Sequence, residues 1–467
     1  MARLSTNPAL LITLDRASGV PLHRQIETTL RGSIRAGRLA AGSALTASRV
    51  LAADLGVSRG VVVEAYQQLS SEGYVVGRGG GRTEVAAGVV PASAEPPQAK
   101  PQAPVLRYDL SYGRGDVAHF PRTAWMRALR AALTDAPNDA FGYPAGAGMP
   151  QLRGALAEYL NRVRGTSTTA QEVIVCTGYA QGVALVIQRL AESGARCLAV
   201  EDPSSGDDAV PVARRAGLDV VAIPVDEDGL RVDALRASGA DAVILTPAHQ
   251  WPTGAVLSAA KRAAIITWAN ERNAVIIEDD YDAEYRYDGS PVGAMQGLAP
   301  HRVVYGGSAS KTLAPGIRLG WLIAPPRMAQ ALGEAKIAAD RGSPALEQLA
   351  LADLLRRGEL DRHLRRMRPV YRRRRDVLLA SLATHLPALR PAGISAGMHL
   401  LTWLPDGMDE DTVITRATEA GIRLDGLRPY RLSDGGQGGL VFGYAAINET
   451  AIPGAVRALA DAIDSIR

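Results

Sequence analysis

Seven short apolar runs, at 173–177, 197–201, 220–224, 242–246, 274–278, 303–305 and 319–324, recur through the middle of the chain, mostly separated by stretches with helical spacing. A strand that is apolar at nearly every position has no face left for water, so it must be covered on both sides. Such strands alternating with helices specify an α/β fold, with a mostly parallel sheet between two helical layers. Sheets of this type bind ligands beyond the carboxyl ends of their strands, which directs attention to the residues that follow each run.

The last two runs enclose the segment Tyr305-Gly-Gly-Ser-Ala-Ser-Lys-Thr-Leu-Ala-Pro-Gly-Ile-Arg-Leu-Gly-Trp321. Lys311 stands there among small residues, with Ser308 and Ser310 before it and Arg318 seven residues after it. A lysine so placed can form a Schiff base with a carbonyl cofactor while the serines and the arginine hold a phosphate. The small residues allow the backbone to come close to a bulky ligand, and the turn at 314–316 brings Arg318 back towards it. A surface loop with a solvated lysine is the bland alternative. The segment resembles the cofactor-lysine stretch of fold-type I pyridoxal 5'-phosphate (PLP) enzymes, the aspartate-aminotransferase superfamily.

Four upstream segments extend that resemblance. Glu278-Asp-Asp-Tyr-Asp-Ala-Glu-Tyr285 ends an apolar run. The resemblance implies that Asp279 faces the pyridine nitrogen and that Tyr281 reaches the phenolic oxygen; a solvated acidic loop is the alternative. Thr246-Pro-Ala-His-Gln-Trp-Pro-Thr-Gly254 resembles the superfamily's Asn-Pro-Thr-Gly turn with Trp251 in place of the asparagine, which leaves Gln250 or His249 for its role. Thr177-Gly-Tyr-Ala-Gln-Gly182 follows a strand and opens a helix, so the backbone N–H groups at Gly178, Tyr179 and Ala180 can bind a phosphate. Phe141-Gly-Tyr-Pro-Ala-Gly-Ala-Gly148 resembles the stretch that crosses to the partner subunit's site, which makes Tyr143 an effector-binding candidate.

The N-terminal part reads differently. Leu22, Ile26, Leu30 and Ile34 recur at i+4 in a helix opened by Pro21 and continuing through Arg38. A Gly/Ala-rich turn at 39–45, a helix at 48–55 stopped by Gly56, and a helix at 59–70 capped by Ser58 follow. Strands at 74–76 and 83–86 flank the turn Gly77-Arg-Gly-Gly-Gly-Arg82, and the whole is a winged helix-turn-helix. Pro21-Leu-His-Arg-Gln-Ile26, Ser48-Arg49, Leu51-Ala-Ala-Asp-Leu-Gly-Val-Ser-Arg59, Ala65-Tyr66, Leu69 and Glu72-Gly-Tyr74 resemble the DNA-binding domain of GntR-type regulators. Ser58 and Arg59 stand where a recognition helix enters the major groove of a double-stranded operator. Arg49 opens the preceding helix, and Arg78 and Arg82 lie on the wing. The family commonly has Asn or Thr after its Ser-Arg pair. Gly60-Val-Val-Val63 replaces it here, so this helix should read its bases differently.

The 467 residues exceed one core, and the net charge of +4 permits nucleic-acid binding. Two cysteines, Cys176 and Cys197, each in an apolar run, offer core packing and no disulfide framework. No apolar run approaches the ~18 residues of a membrane span and no signal peptide is apparent. A cytoplasmic protein, nucleoid-associated when bound to DNA, is expected. The domains read as 11–87 (winged helix-turn-helix), a Pro/Ala-rich linker at 88–107, and 108–467, with a small subdomain from about 340.

The combination resembles the MocR subfamily of GntR-type bacterial transcriptional regulators. That implies a head-to-tail homodimer, PLP as cofactor and a small amino compound as effector. A catalytically active aminotransferase with an autoregulatory DNA-binding domain is the alternative reading, and a regulator that has lost PLP a weaker third. Two departures argue for vestigial or absent transaminase turnover. Ser204 and Ser205 stand where relatives carry a ring stacked on the cofactor, leaving Tyr179 to compensate. Near the strand at 440–444, where a carboxylate-binding arginine belongs, the chain has glycines, and Arg428 or Arg431 would have to substitute from a loop. An arginine-rich stretch at 362–375 is either a solvated helix face or the lining of a DNA groove. The 342–344 segment, Gly358 and Pro369 are expected to break the helices of 327–386.

Overall fold

A computed structural model describes residues 12–78, 82–87, 106–143, 146–204, 209–287 and 292–465. Two compact units, Met1–Gln102 and Ala103–Arg467, divide the chain.

The first unit packs helices α1 (Leu22–Arg35), α2 (Ser48–Leu55) and α3 (Arg59–Ser71) with a hairpin of β1 (Val75–Arg78) and β2 (Arg82–Val85). Ile26, Leu30 and Ile34 are buried with Leu51, Val62, Ala65 and Leu69 in one core. α1 stops at Arg35, three residues short of the predicted end, because Ser33 O, Ile34 O and Gly32 O are taken up by a turn. The predicted turn at 39–45 does more than connect. Ala44 bridges Glu84, and Leu45 N donates to Thr83 O, so this stretch adds an edge to the wing. Ser58 occupies the N-cap position of α3, yet its side chain makes no capping hydrogen bond. The glycines at 79–81 lie outside the described residues, as do 88–105 of the expected linker.

The second unit is built on an eight-stranded sheet: β3 (Val173–Cys176), β4 (Cys197–Asp202), β5 (Asp219–Asp226), β6 (Gly229–Leu230), β7 (Ala242–Leu245), β8 (Val275–Asp280), β9 (Val303–Ser308) and β10 (Gly320–Ile323). Its order is β3-β10-β9-β8-β7-β4-β5-β6. The run β9-β8-β7-β4-β5 is parallel throughout, β10 is antiparallel to both of its neighbours, and β6 is antiparallel to β5. The two-residue pleat sends alternate side chains to opposite cores. Val173, Val175, Val303 and Tyr305 face away from Ile174, Cys176, Ile277, Val304 and Leu322, which gather in a separate cluster. Cys176 is buried as expected, whereas Cys197, at the start of β4, is half-buried.

Helix α4 (Tyr179–Glu192) lies between β3 and β4, and after β10 come helices α5 (Pro326–Asp340), α6 (Ala345–Arg356) and α7 (Glu359–His385). Breaks occur at 341–344 and 357–358, but Pro369 lies inside a continuous α7, contrary to the sequence expectation. Proline removes one helical hydrogen bond. Here Leu364, Met367, Tyr371 and Leu378 around it are buried in the main core, and that packing keeps the helix going. The arginines of α7 are divided between structure and solvent. Arg374 is buried against Asp116 at 2.6 Å, Arg368 Nε donates to Glu284 O, and Arg372 and Arg373 are largely exposed.

A four-stranded antiparallel sheet follows, of β11 (Arg390–Ala392), β12 (His399–Trp403), β13 (Asp425–Gly426) and β14 (Gly439–Gly443) in the order β11-β12-β14-β13, and the helix Ile452–Asp464 comes after it. Close to it, the short strand Tyr108–Asp109 pairs in parallel with Ile422–Arg423. The first described residues of the second unit are thereby fixed beside the last sheet. Among the described residues no helix is long and apolar enough to cross a membrane.

Candidate functional site

The carboxyl ends of β4, β7, β8 and β9 open onto a cavity of about 300 Å³. Lys311, Asp279, Tyr281, Ser308, Ser310, Arg318, Tyr179 and Ala180 all line it. Lys311 follows directly on β9 in a single helical turn, Ala309–Thr312, whose N-cap is Ser308. The Ser308 hydroxyl accepts from Ser310 N at 3.0 Å and lies 2.8 Å from Ser310 Oγ. Lys311 Nζ donates to Gly113 O at 2.8 Å and sits 4.6 Å from the centre of the Tyr112 ring.

The turn at 315–317 returns the chain as expected, and Arg318 takes a left-handed backbone, φ 54°. Its guanidinium donates to Thr177 O at 2.9 Å. Gly178, φ 84°, forms the N-cap of the helix Tyr179–Glu192. A Cβ on Gly178 would lie 2.9 Å from the Arg318 guanidinium, so glycine is what lets the arginine reach the head of that helix. The glycines before Lys311 have a different use from the one the sequence suggested. Added Cβ atoms at Gly306 and Gly307 would strike the Tyr179 and Trp321 rings at 2.5 Å, so these positions make room for the protein's own aromatics.

Asp279, at the end of β8, is 9% exposed and stands opposite Gly306 in the parallel register. The Tyr281 hydroxyl donates to His249 O at 2.8 Å. His249 Nδ1 lies 3.0 Å from Asp282, and its ring packs against His399. His399 Nε2 contacts Pro252 O at 3.1 Å. A carbonyl only accepts, so that nitrogen carries the proton and burial keeps the ring neutral.

Several predicted site residues lie elsewhere. The Gln250 amide ties its own turn to the segment after β4, accepting from Thr253 Oγ1 at 2.6 Å and donating to Pro203 O at 2.8 Å, and neither it nor His249 lines the cavity. Trp251, the residue replacing asparagine, lines it instead. Arg428 pairs with Asp411 and Asp409 on the surface, and Arg431 donates to Gln437 O at 3.0 Å. Both arginines line a separate polar cavity. Tyr143 is 92% exposed and Ser205 lies outside the described residues.

Among the wall residues that the sequence did not mark as part of the site are Tyr112, Gly113, Glu201 and Trp251. Tyr112 and Trp251 stack with ring centres 3.9 Å apart, and Tyr430 meets Trp251 edge-on at 5.2 Å. Glu201 is buried and accepts from both the N–H and the hydroxyl of Thr246. Burial pushes its carboxyl up to about 7 against the opposing effect of those bonds. The Tyr-Gly-x-Gly pattern at 112–115 was the one available signal for the Tyr112 stretch.

In the first unit, Arg49, Ser58 and Arg59 are all exposed, and Arg59 Nε lies 3.5 Å from Ser48 Oγ. Arg78 and Arg82 flank Glu84 at 3.2 and 3.0 Å while remaining 71% and 57% exposed.

The model of the aminotransferase class I and II family matches residues 109–438, and that of the bacterial regulatory proteins of the gntR family matches residues 22–85. Together they define a DNA-binding transcriptional regulator built on an aminotransferase scaffold. The chain is 32% identical to the probable rhizopine catabolism regulatory protein MocR of Rhizobium meliloti, over 94% of this chain and 93% of that protein. It is also 32% identical to the HTH-type pyridoxine biosynthesis transcriptional regulator PdxR of Corynebacterium glutamicum, over 97% and 98%. The chain belongs to the MocR-type regulators of the GntR family. Its second unit shares the fold of Pyrococcus horikoshii kynurenine aminotransferase, with a TM-score of 0.71, 23% identity and coverage of 78% of this chain and 91% of that one. The α-aminoadipate aminotransferase LysN of Thermus thermophilus is similar at 26% identity and a TM-score of 0.70, with 78% and 93% covered.

Proposed function

We propose that this regulator holds PLP on Lys311 and adjusts its hold on an operator according to a small amino compound that enters the same cavity. The observation that carries the reading is the convergence of Lys311, Asp279, Tyr281, Arg318 and both serines on one cavity of about 300 Å³, a size typical of ligand pockets. The donor set fits the group. Arg318, Ser308, Ser310 and the head of the helix at Tyr179 offer a cation, two hydroxyls and backbone N–H groups for a phosphate. Asp279, at the end of a buried strand, would keep a proton on the cofactor's ring nitrogen, and Tyr281 would supply a phenol already oriented by His249. Bound there, the cofactor supplies an aldehyde for amines and a ring that withdraws electrons.

Regulation rather than turnover is favoured by the positions of Arg428 and Arg431, both committed to partners away from the cavity. Transamination needs a substrate carboxylate clamped so that its Cα–H bond is correctly aimed, and a bidentate arginine is the usual clamp. A head-to-tail homodimer is supported by the exposure of Tyr143 and Phe141, 92% and 55%.

On the DNA side, Arg59 and Arg49 contact the major groove, with Ser58 at the helix head, and Arg78 and Arg82 contact the backbone. Arg59→Ala should cost about 1–3 kcal/mol of specific binding at fixed salt and relax sequence preference. Arg78→Ala should weaken binding to all sequences alike and reduce the salt slope. The reading is tested by measuring operator affinity of the full-length protein with and without PLP and a panel of amino donors, alongside single-turnover conversion of the bound cofactor. Operator affinity indifferent to every addition, or turnover on the order of 1 per second or faster, would overturn it.

A further inference from the structure

Lys336, one turn before the end of α5, is 0% exposed. Its ammonium donates to both oxygens of Asp340, at 2.8 and 2.7 Å, and to Ser343 Oγ at 3.0 Å, so all three of its N–H bonds are taken up. A buried ion pair adds little net stability, since the cost of taking charges out of water rivals their attraction. The use of this pair lies in what its carboxylate holds.

Gln181 Nε2 donates to Asp340 Oδ2 at 2.8 Å. A carboxylate only accepts, so the pair fixes which way round the Gln181 amide stands and leaves its oxygen pointing to the chain that enters α4. That oxygen accepts from Thr177 N at 2.8 Å, while Thr177 O accepts from Arg318 at 2.9 Å. The peptide groups on both sides of Thr177 are thus pinned, one by Arg318 and the other, through Gln181, by the buried pair. Thr177 leads directly into Gly178, whose φ of 84° turns the chain into α4. The first N–H groups of a helix have no partner within it, and the turn before the helix decides where they point. At Tyr179 and Ala180 they point where the phosphate is proposed to lie.

We infer that Lys336, Asp340 and Gln181 are positioning residues for the cofactor's phosphate. The ion pair orients the Gln181 amide, the amide fixes the turn at 177–178, and the turn aims the N–H groups at the head of α4. The inference rests on the PLP reading above and adds to it three residues that do not line the cavity.

The test compares PLP with pyridoxal, which carries the same aldehyde and ring without the phosphate. Full-length protein freed of cofactor is titrated with each, and affinity is read from the visible absorbance of the bound form. Gln181→Met removes both bonds of the amide, and Lys336→Met combined with Asp340→Leu removes the pair without leaving a lone buried charge. Each variant should bind PLP about tenfold more weakly, the scale of one net hydrogen bond, with its affinity for pyridoxal unchanged. A general loosening of the cavity would move both ligands alike, so equal losses for PLP and pyridoxal would overturn the inference, and so would PLP binding as tight as the parent's. If far-ultraviolet circular dichroism shows that the double variant does not fold, Gln181→Met decides alone. Parent protein that acquires no visible absorbance with PLP would overturn the cofactor reading, and this one with it.

Discussion

The Arg318 end and the aromatic end of the cavity are made in different ways. The first comes from two continuous stretches, 177–180 and 308–318, held largely by short-range bonds such as Ser310 N to Ser308 Oγ and by one longer link, Arg318 to Thr177 O. The second is assembled from single side chains far apart in sequence: Tyr112, Glu201, Trp251, Tyr281 and, behind them, Tyr430. One end is a local motif and the other a tertiary surface; on the function proposed above, the first would hold the phosphate and the second would meet the amino compound. The two functions should therefore respond to different mutations.

The largest effect belongs to the residue between the two ends. Lys311→Ala should abolish the visible absorbance of PLP-loaded protein while the far-ultraviolet circular dichroism is retained; absorbance that survives would remove the cavity from the cofactor's address. Next comes pH. Burial holds the Glu201 carboxyl at about 7 in the folded protein, against 4.5 for the free group. Between those values the folded protein keeps a proton that the unfolded chain has released, so this contribution is full below about pH 4.5, falls as pH rises to about 7 and is flat above. The loss is about 3 kcal/mol. Glu201→Gln should shrink the fall in melting temperature between pH 5 and pH 8. Glu278, raised to about 7 by burial in the same way, preserves part of the slope. An unchanged profile would show that Glu201 ionises freely and that the aromatic end is wetter than its walls imply.

Arg318→Ala should weaken PLP binding by about 2 kcal/mol, the scale of a charge-assisted hydrogen bond. Equilibrium dialysis reads the loss, and a variant that loads PLP as tightly as the parent would remove Arg318 from the phosphate's address. Ser308→Ala, which removes one neutral hydroxyl, should cost about 1 kcal/mol or less in equilibrium dialysis.

The same division governs what could be read from the sequence. Short apolar runs were legible as buried strands because the two-residue pleat leaves a local trace, and the site residues that follow β8 and β9 inherited that clarity. Lys311, Ser308, Ser310 and Arg318 meet through chain that is nearly continuous. Tyr112 was illegible because its place depends on Tyr108–Asp109 pairing with Ile422–Arg423, more than 300 residues away, as the bond from Tyr112 N to Asp425 also shows. The arginines at 428 and 431 misled for a related reason. Their direction is decided by acids at 409 and 411 and by a glycine-rich loop, none of which marks the cavity. Pro369 failed the other way, since a valid local rule yielded to the packing of a 27-residue helix.

The short strand Tyr108–Asp109 has a mechanical consequence. Arg107 N and Tyr108 N donate to Gly421 O, Leu110 N donates to Arg423 O, and Tyr112 N reaches the Asp425 carboxylate. The chain is thus held by the segment 421–423 and by Asp425 and Gly443 of the last sheet at nearly every step from residue 107 to the cavity wall. The strip of backbone that carries the Tyr112 ring is therefore the same one that anchors the first described residues of the second unit. About six residues, roughly 20 Å of extended chain, separate residue 106 from the Tyr112 ring. A shift of that ring is therefore coupled to the backbone where the described part of the second unit begins.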